Sequence, residues 1–329
     1  MTLTATFPPS LDALREAAQG LEGVAVRTPL VPLPEPAAGP GRAVYLKAEY
    51  AQPIGAFKIR GAYTAIRRLD PEVRRRGVVA YSSGNHAQGV AWAARAFGVR
   101  GVIVMPENTP AVKVDGVRRY GGEVVFAGAR RSPEQAARAE AIARDEGLTL
   151  IPPFDHPDVI CGQGTCGLEI LDQCPDVRTI LVPVSGGGLL GGIAAAVLAS
   201  GHPAEIVAVE PAGAAKLSAA LAAGEPVDIG QGDSIADGLL TPRVGRLTWP
   251  IIRLAVSRVL TVTDGEIAAA VRWLHQYARG PDGIPIRVEP SGAVTTAALL
   301  AGRAELRGPV VAVASGGNVD PMVFDRLVG

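Results

Sequence analysis

Apolar residues recur along this chain in short runs separated by longer amphipathic stretches, and from residue 77 onward the alternation is regular. The run Gly77–Tyr81 precedes a helical pattern over Asn85–Phe97. Val99–Met105 precedes one over Pro110–Tyr120, and Glu123–Ala127 precedes one over Ser132–Glu146, closing on the run Leu148–Ile151. The rhythm returns with Thr179–Val184, a helix over Leu189–Leu198, a strand over Glu205–Val209 and a last apolar strand, Val310–Ala314. Strands spaced by helices of this length predict parallel sheets covered on both faces. The expected fold is α/β, with two doubly wound domains of mostly parallel strands: a small one over 77–150 and a large one built from 1–76 and 151–329. Ahead of residue 77 the pattern predicts a proline-rich loop from Pro29 to Pro40 and a short strand, Ala43–Glu49.

Composition narrows the function by exclusion. The 329 residues, 48% hydrophobic and 19% charged, are enough to build such cores without metal or disulfide staples. The formal net charge of zero offers no field to collect nucleic acid or an anionic membrane, so a small neutral or zwitterionic ligand fits better. Cys161, Cys166 and Cys174 are odd in number and lack CxxC spacing, which points to unreactive thiols in a reducing compartment. The N-terminus has no basic segment ahead of an apolar one, and no run is long enough to span a bilayer. A soluble cytoplasmic protein is expected.

Candidate chemistry lies at the ends of the predicted strands. Lysine occurs only at 47, 58, 113 and 216. Lys58, in QPIGAFKIRGAYTAI, follows a glycine turn into a helix. Taken alone it reads first as a solvated cation; an amine so placed can also be neutral and form an imine, which arginine cannot. In ILVPVSGGGLLGG, glycines 186, 187, 188, 191 and 192 join a strand to a helix, a phosphate cradle of free backbone N–H groups. The same residues satisfy GxGxxG, with Glu210 placed as a ribose-binding acid, so a nicotinamide dehydrogenase is an open alternative. The turn YSSGNHAQG offers Ser82, Ser83, Gly84 and Asn85 for a carboxylate or a proton transfer, or simply as an N-cap, with His86 reading as part of the helix start. VAVASGGNVD places a third such loop at a strand end.

In order, AFKIRGA, SSGNHAQGVA, SGGGLLGG, IADGL, EPSGA and SGGNVD resemble the serine/threonine dehydratase and serine racemase family of fold-type II pyridoxal-phosphate enzymes, the tryptophan synthase β-like architecture. The resemblance runs from about Arg27 to the C-terminus. It implies pyridoxal 5'-phosphate as cofactor, Lys58 as the Schiff-base lysine, Phe57 as a wall of the ring, and Ser185, Gly186, Gly187, Gly188 and Leu189 around the phosphate. It also implies Asn85 at the ring hydroxyl and Ser315 at the ring nitrogen. Ser82 to His86 would hold the substrate carboxylate, and Lys58 would take the α-proton. The implied activity is loss of ammonia from a β-hydroxy amino acid such as L-threonine or L-serine. Ser83 matches the proton donor of racemases, so serine racemization is the alternative. A dehydratase for 3-hydroxyaspartate or phenylserine is another, 3-hydroxyaspartate being suggested by Arg130 and Arg131, which also read as a solvated helix entry.

Three departures from the family pattern stand out. Ala56 replaces a common serine, and Ser185 a common glycine. In metal-activated relatives the positions of Glu210, Ala214 and Lys216 bind a cation, but a protonated lysine cannot ligate one. No metal is therefore expected, with Lys216 either standing in for the cation beside Glu210 or pointing into solvent while Glu210 caps the next helix. The resemblance also implies a homodimer, and with only a short stretch after Asn318 no C-terminal regulatory domain is expected.

Overall fold

Among the described residues, ten strands form two sheets, and the period-2 alternation of side chains gives each sheet two buried faces. The computed structural model describes residues 8–37, 41–129, 133–303 and 305–329. The strands are β1 (Leu30–Pro32), β2 (Val44–Lys47), β3 (Val78–Tyr81), β4 (Gly101–Met105), β5 (Glu123–Phe126) and β6 (Thr149–Leu150), followed by β7 (Thr179–Pro183), β8 (Glu205–Pro211), β9 (Val256–Val262) and β10 (Val310–Val313). One sheet has the order β5-β4-β3-β6, all parallel; the other has the order β1-β2-β10-β7-β8-β9, parallel except where β1 pairs antiparallel with β2.

On β10, Val310 and Ala312 face one core with Leu46, Leu181 and Val207, while Val311 and Val313 face another with Ile180, Val182 and Ala208. On the smaller sheet, Val78, Ala80 and Ile103 face one helical layer and Val79, Val102 and Val104 the other. Burial on both faces explains why these strands read as unbroken apolar runs.

The proline-rich stretch expected to be a loop contains β1. Pro32 has no N–H for a ladder, and β1 tolerates it because it is an edge strand with a partner on one side only. The strand β9, the opposite edge, was not anticipated: its exposed Ser257 and Thr261 break the apolar run by which the inner strands are read.

The helix Lys58–Arg67 packs against both Asn85–Ala96, which covers the smaller sheet, and Pro157–Gln173, which covers the larger. Its approach to the latter is close enough that a Cβ on Gly162 would meet the Arg60 carbonyl oxygen at 2.5 Å. This helix therefore ties the two sheets together. Among the described residues no helix is long and apolar enough to cross a membrane.

Candidate active site

Ligands of open parallel sheets collect beyond the carboxyl ends of the strands, where neighbouring connections leave in opposite directions. The carboxyl ends of β2, β3, β7 and β10 lead into the lysine loop, the SSGN turn, the SGGG loop and the SGGN loop, and all four line one cavity of about 790 Å³ between the sheets.

The lysine loop is stitched to the SGGN loop. Phe57 N–H donates to Ser315 O at 3.1 Å, Gly317 N–H to Gly55 O at 2.9 Å and Asn318 Nδ2 to Ile54 O at 2.7 Å, and Ala56 forms an isolated β-bridge with Gly316. These bonds fix the start of the helix Lys58–Arg67, so the Lys58 side chain enters the cavity from a held backbone. Its Nζ donates to Pro153 O at 2.5 Å and lies 5.1 Å from the Phe57 ring centroid. Burial pushes this amine down to about 8, so about a tenth of it is neutral at pH 7, far more than of an exposed lysine.

The SGGG loop is built to receive an anion. Gly186 O accepts from Gly245 N–H at 2.9 Å and from Thr248 Oγ1 at 2.8 Å, and Gly187 O accepts from Gly191 N–H at 2.6 Å. The carbonyls are thus turned into the protein, and among the described residues the N–H groups of Gly186, Gly187 and Gly188 donate to nothing. They open the helix Gly188–Ala199, whose dipole adds positive potential there. Gly187 has φ +93, and a Cβ there would meet Ile252 Cδ1 at 2.6 Å and Thr248 Oγ1 at 2.8 Å. Ser185 Oγ lies 3.0 Å from Thr241 Oγ1. Leu189 is buried on the cavity wall.

A second free helix start, that of Asn85–Ala96, faces the same cavity from the smaller sheet. Gly84 N–H donates to Ser82 Oγ at 3.2 Å; the Ser83 hydroxyl has no partner among the described residues. Asn85 is held on both sides: Nδ2 donates to Glu289 Oε1 at 2.7 Å and Oδ1 accepts from Asn318 Nδ2 at 2.8 Å. His86 turns its ring toward Ile151 O, 2.9 Å from Nε2, and burial, with Lys58 nearby, pushes its pKa down to about 3. It is a neutral side chain, and what it offers the cavity is its N–H. Ser315, 4% exposed, donates to Ser291 O at 3.4 Å.

Several wall residues were not singled out from the sequence. Glu289 is buried beside Asn85, and its carboxyl is pushed up to about 8 by burial and by the charge of Asp237. Asp237 and Glu289 lie in the IADGL and EPSGA segments, which carried the resemblance but no role. Phe154, whose ring is 2.4 Å from where a Gly186 Cβ would stand, left no mark in the local sequence. Arg130 and Arg131 lie outside the described residues.

The Glu210 region answers a question the sequence posed. Lys216 is fully buried, not solvated, with Nζ 4.0 Å from Glu210 Oε2. Glu210 also caps the helix Lys216–Ala223, accepting from Leu217 N–H at 2.9 Å and Ser218 N–H at 2.8 Å. Among the described residues no group of three or more His, Cys, Asp or Glu side chains is placed to hold a metal. These residues do not fit a divalent cation. The phosphate cradle, the desolvated amine and the uncharged Ser315 hydroxyl, by contrast, fit pyridoxal phosphate.

Comparison with known proteins gives the same picture. The pattern of the family described as pyridoxal-phosphate dependent enzyme matches residues 21–316. The chain is 42% identical to the biosynthetic L-threonine dehydratase of Pasteurella multocida over 84% of its own length, which spans about half (52%) of that relative. It is 40% identical to an L-threo-3-hydroxyaspartate ammonia-lyase of a Pseudomonas species, covering 95% of this chain and 96% of the other. The structure of maize serine racemase superposes with a TM-score of 0.89 at 37% identity, covering 96% of each chain.

Proposed function

The chain belongs to the pyridoxal-phosphate-dependent enzyme family, and from that premise we propose that it is an ammonia-lyase converting a β-hydroxy amino acid to a 2-oxo acid and ammonia. One observation carries the reading: the Lys58 amine, desolvated to about 8, shares a cavity with two helix starts whose N–H groups are free, one suited to a phosphate and one to a carboxylate.

Pyridoxal phosphate, when bound, supplies an electron sink for the substrate's α-carbon. The N–H groups of Gly186 to Gly188 would hold its phosphate, and Asn85, oriented by Asn318 and Glu289, would meet the ring hydroxyl. The SSGN turn and the N–H groups of Asn85 and His86 would fix the substrate carboxylate. Lys58 Nζ, in its neutral form, would take the α-proton and, as the ammonium, would be the source of the proton with which the β-hydroxyl leaves Cβ as water. Ser315 would bring a hydroxyl and no charge to the ring nitrogen and so would not hold a proton there as a carboxylate would, which would favour prompt loss of the β-hydroxyl.

Purified protein supplied with pyridoxal phosphate is expected to show a visible absorbance band and to release 2-oxo acid from L-threonine or L-serine; Lys58→Ala should lose both. A colourless protein that cannot be reconstituted would return the glycine loop to the dinucleotide reading. Racemization of serine is a second outcome at the same site, and the unpartnered Ser83 hydroxyl on the cavity wall favours it.

The proposal extends to the Glu210 site, where the Lys216 ammonium takes the place of a cation. Activity should then be indifferent to chelator and to added magnesium or calcium, and Lys216→Asp should make it depend on one of them. A loss of activity of the unaltered enzyme in chelator would contradict this. The small domain, 77–150, would close over substrate, in a homodimer working in the cytoplasm, where the three free, buried cysteines are in keeping with a reducing setting.

A further inference from the structure

Ser185, where the family commonly has glycine, brings a hydroxyl to the first position of the SGGG loop. Its Oγ lies 3.0 Å from Thr241 Oγ1, and among the described residues neither hydroxyl has another hydrogen-bond partner. Two hydroxyls carry two hydrogens and their contact uses one, so one O–H is left to donate. Both side chains are half-buried and line the cavity, where a ligand can take that hydrogen.

Thr241 is held in place from both sides. Pro242 restricts its backbone to extended conformations, and Pro242 O accepts from Ile229 N–H at 3.0 Å. Ahead of it Gly238 N–H donates to Ser291 Oγ at 2.9 Å, and beyond it Gly245 N–H donates to Gly186 O at 2.9 Å. The stretch 238–245 is thus fastened along the same loop whose Gly186, Gly187 and Gly188 N–H groups donate to nothing among the described residues. Those N–H groups offer three donors, and the terminal oxygens of a phosphate monoester can accept more. A hydroxyl that itself receives a hydrogen bond is the better donor, because each bond in a chain polarises the next.

We propose that the Ser185 side chain donates its hydrogen to the cofactor phosphate, and that Thr241 is its positioning residue, donating in turn to Ser185 Oγ. Ser185 adjoins the free N–H groups in the chain and Thr241 does not, which sets the order of the two donors. The inference rests on the reading of the SGGG loop as the seat of the phosphate of pyridoxal phosphate. It gives this chain a phosphate donor that a glycine at the same position cannot supply.

The test is titration of the apoprotein with pyridoxal phosphate, followed at the visible band, together with the phosphorus resonance of each saturated holoenzyme. Ser185→Ala should raise the dissociation constant by about tenfold, the loss of one hydrogen bond to a charged group. Thr241→Val should raise it by about threefold and Thr241→Ser should restore it. Adding Thr241→Val to Ser185→Ala should cost nothing more, since the two act through one hydrogen bond to the phosphate. The phosphorus resonance should move in Ser185→Ala and in Thr241→Val while the visible band keeps its position. Unchanged affinity or an unmoved phosphorus resonance in Ser185→Ala would overturn the inference, as would losses that add in full in the double variant. No visible band in the unaltered protein supplied with pyridoxal phosphate would overturn the cofactor reading itself, and the inference with it.

Discussion

Glu289 shows how far a buried residue's chemistry lies from its letter. An exposed glutamate is ionised at neutral pH; here burial, and then Asp237, push the carboxyl up to about 8. Its pKa in the fold is above that in the unfolded chain, so the stability it contributes is fully present below the unfolded value and is lost as pH rises through about 8. Glu289→Gln keeps an acceptor for Asn85 and cannot titrate. The melting temperature of this variant, relative to the unaltered apoprotein, should therefore rise between about pH 5 and about pH 9; a constant difference would mean that Glu289 is ionised in the fold. Lys58 was singled out in the sequence because lysine is rare there and follows a glycine turn, and its role came from the resemblance, since taken alone it reads first as a solvated cation. Glu289 was not, since its charge state depends on Asp237, far away in the chain, and on a cavity that no local pattern describes.

At the scale of elements, the SGGG loop was legible as an anion cradle, but its partner was not: GxGxxG suits a dinucleotide as well as a single phosphate. Geometry adds what the letters lack, namely carbonyls locked inward by Gly245 and Thr248 and N–H groups left free. Gly187→Ala puts a side chain on a left-handed residue and a Cβ against Ile252 and Thr248. About 1–2 kcal/mol of conformational cost is expected before any clash, together with weaker binding of pyridoxal phosphate in a spectral titration. Unaltered cofactor affinity would show that this loop does not carry the phosphate. The inner strands were found from the sequence because burial on both faces makes them uniformly apolar. The edge strands β1 and β9 were missed for the converse reason, one holding a proline and the other polar residues that face solvent.

Across the whole molecule, the lysine helix is anchored by a buried set of charges. Arg60 Nε and Nη2 meet both oxygens of Glu49 at 2.8 Å, and Nη1 meets Glu169 Oε1 at 2.7 Å. Lys47 Nζ donates to Glu169 Oε2 at 2.6 Å and to Thr28 O at 2.7 Å. Burial would raise the pKa of Glu49, but the Arg60 guanidinium overrides it and holds it down at about 2. Arg60→Met would strand that carboxylate away from water, at an expected cost of about 3–5 kcal/mol in urea unfolding. A loss under about 1 kcal/mol, the size typical of a surface pair, would mean that water reaches the cluster. The sequence pattern did not show this cluster, which joins the residues ahead of 77 to the helix Pro157–Gln173 of the same larger unit, because the four charged residues are scattered over more than a third of the chain.

The stitching of the lysine loop to the SGGN loop also sets a timetable. β10 lies between β2 and β7, so the middle of the larger sheet is filled by its last strand, and Lys58 gains its fixed backbone only when Ser315 and Gly317 arrive. On the ribosome, the residues through Gly317 must emerge before the pocket exists, and nascent chains interrupted before β10 would be unable to hold the cofactor.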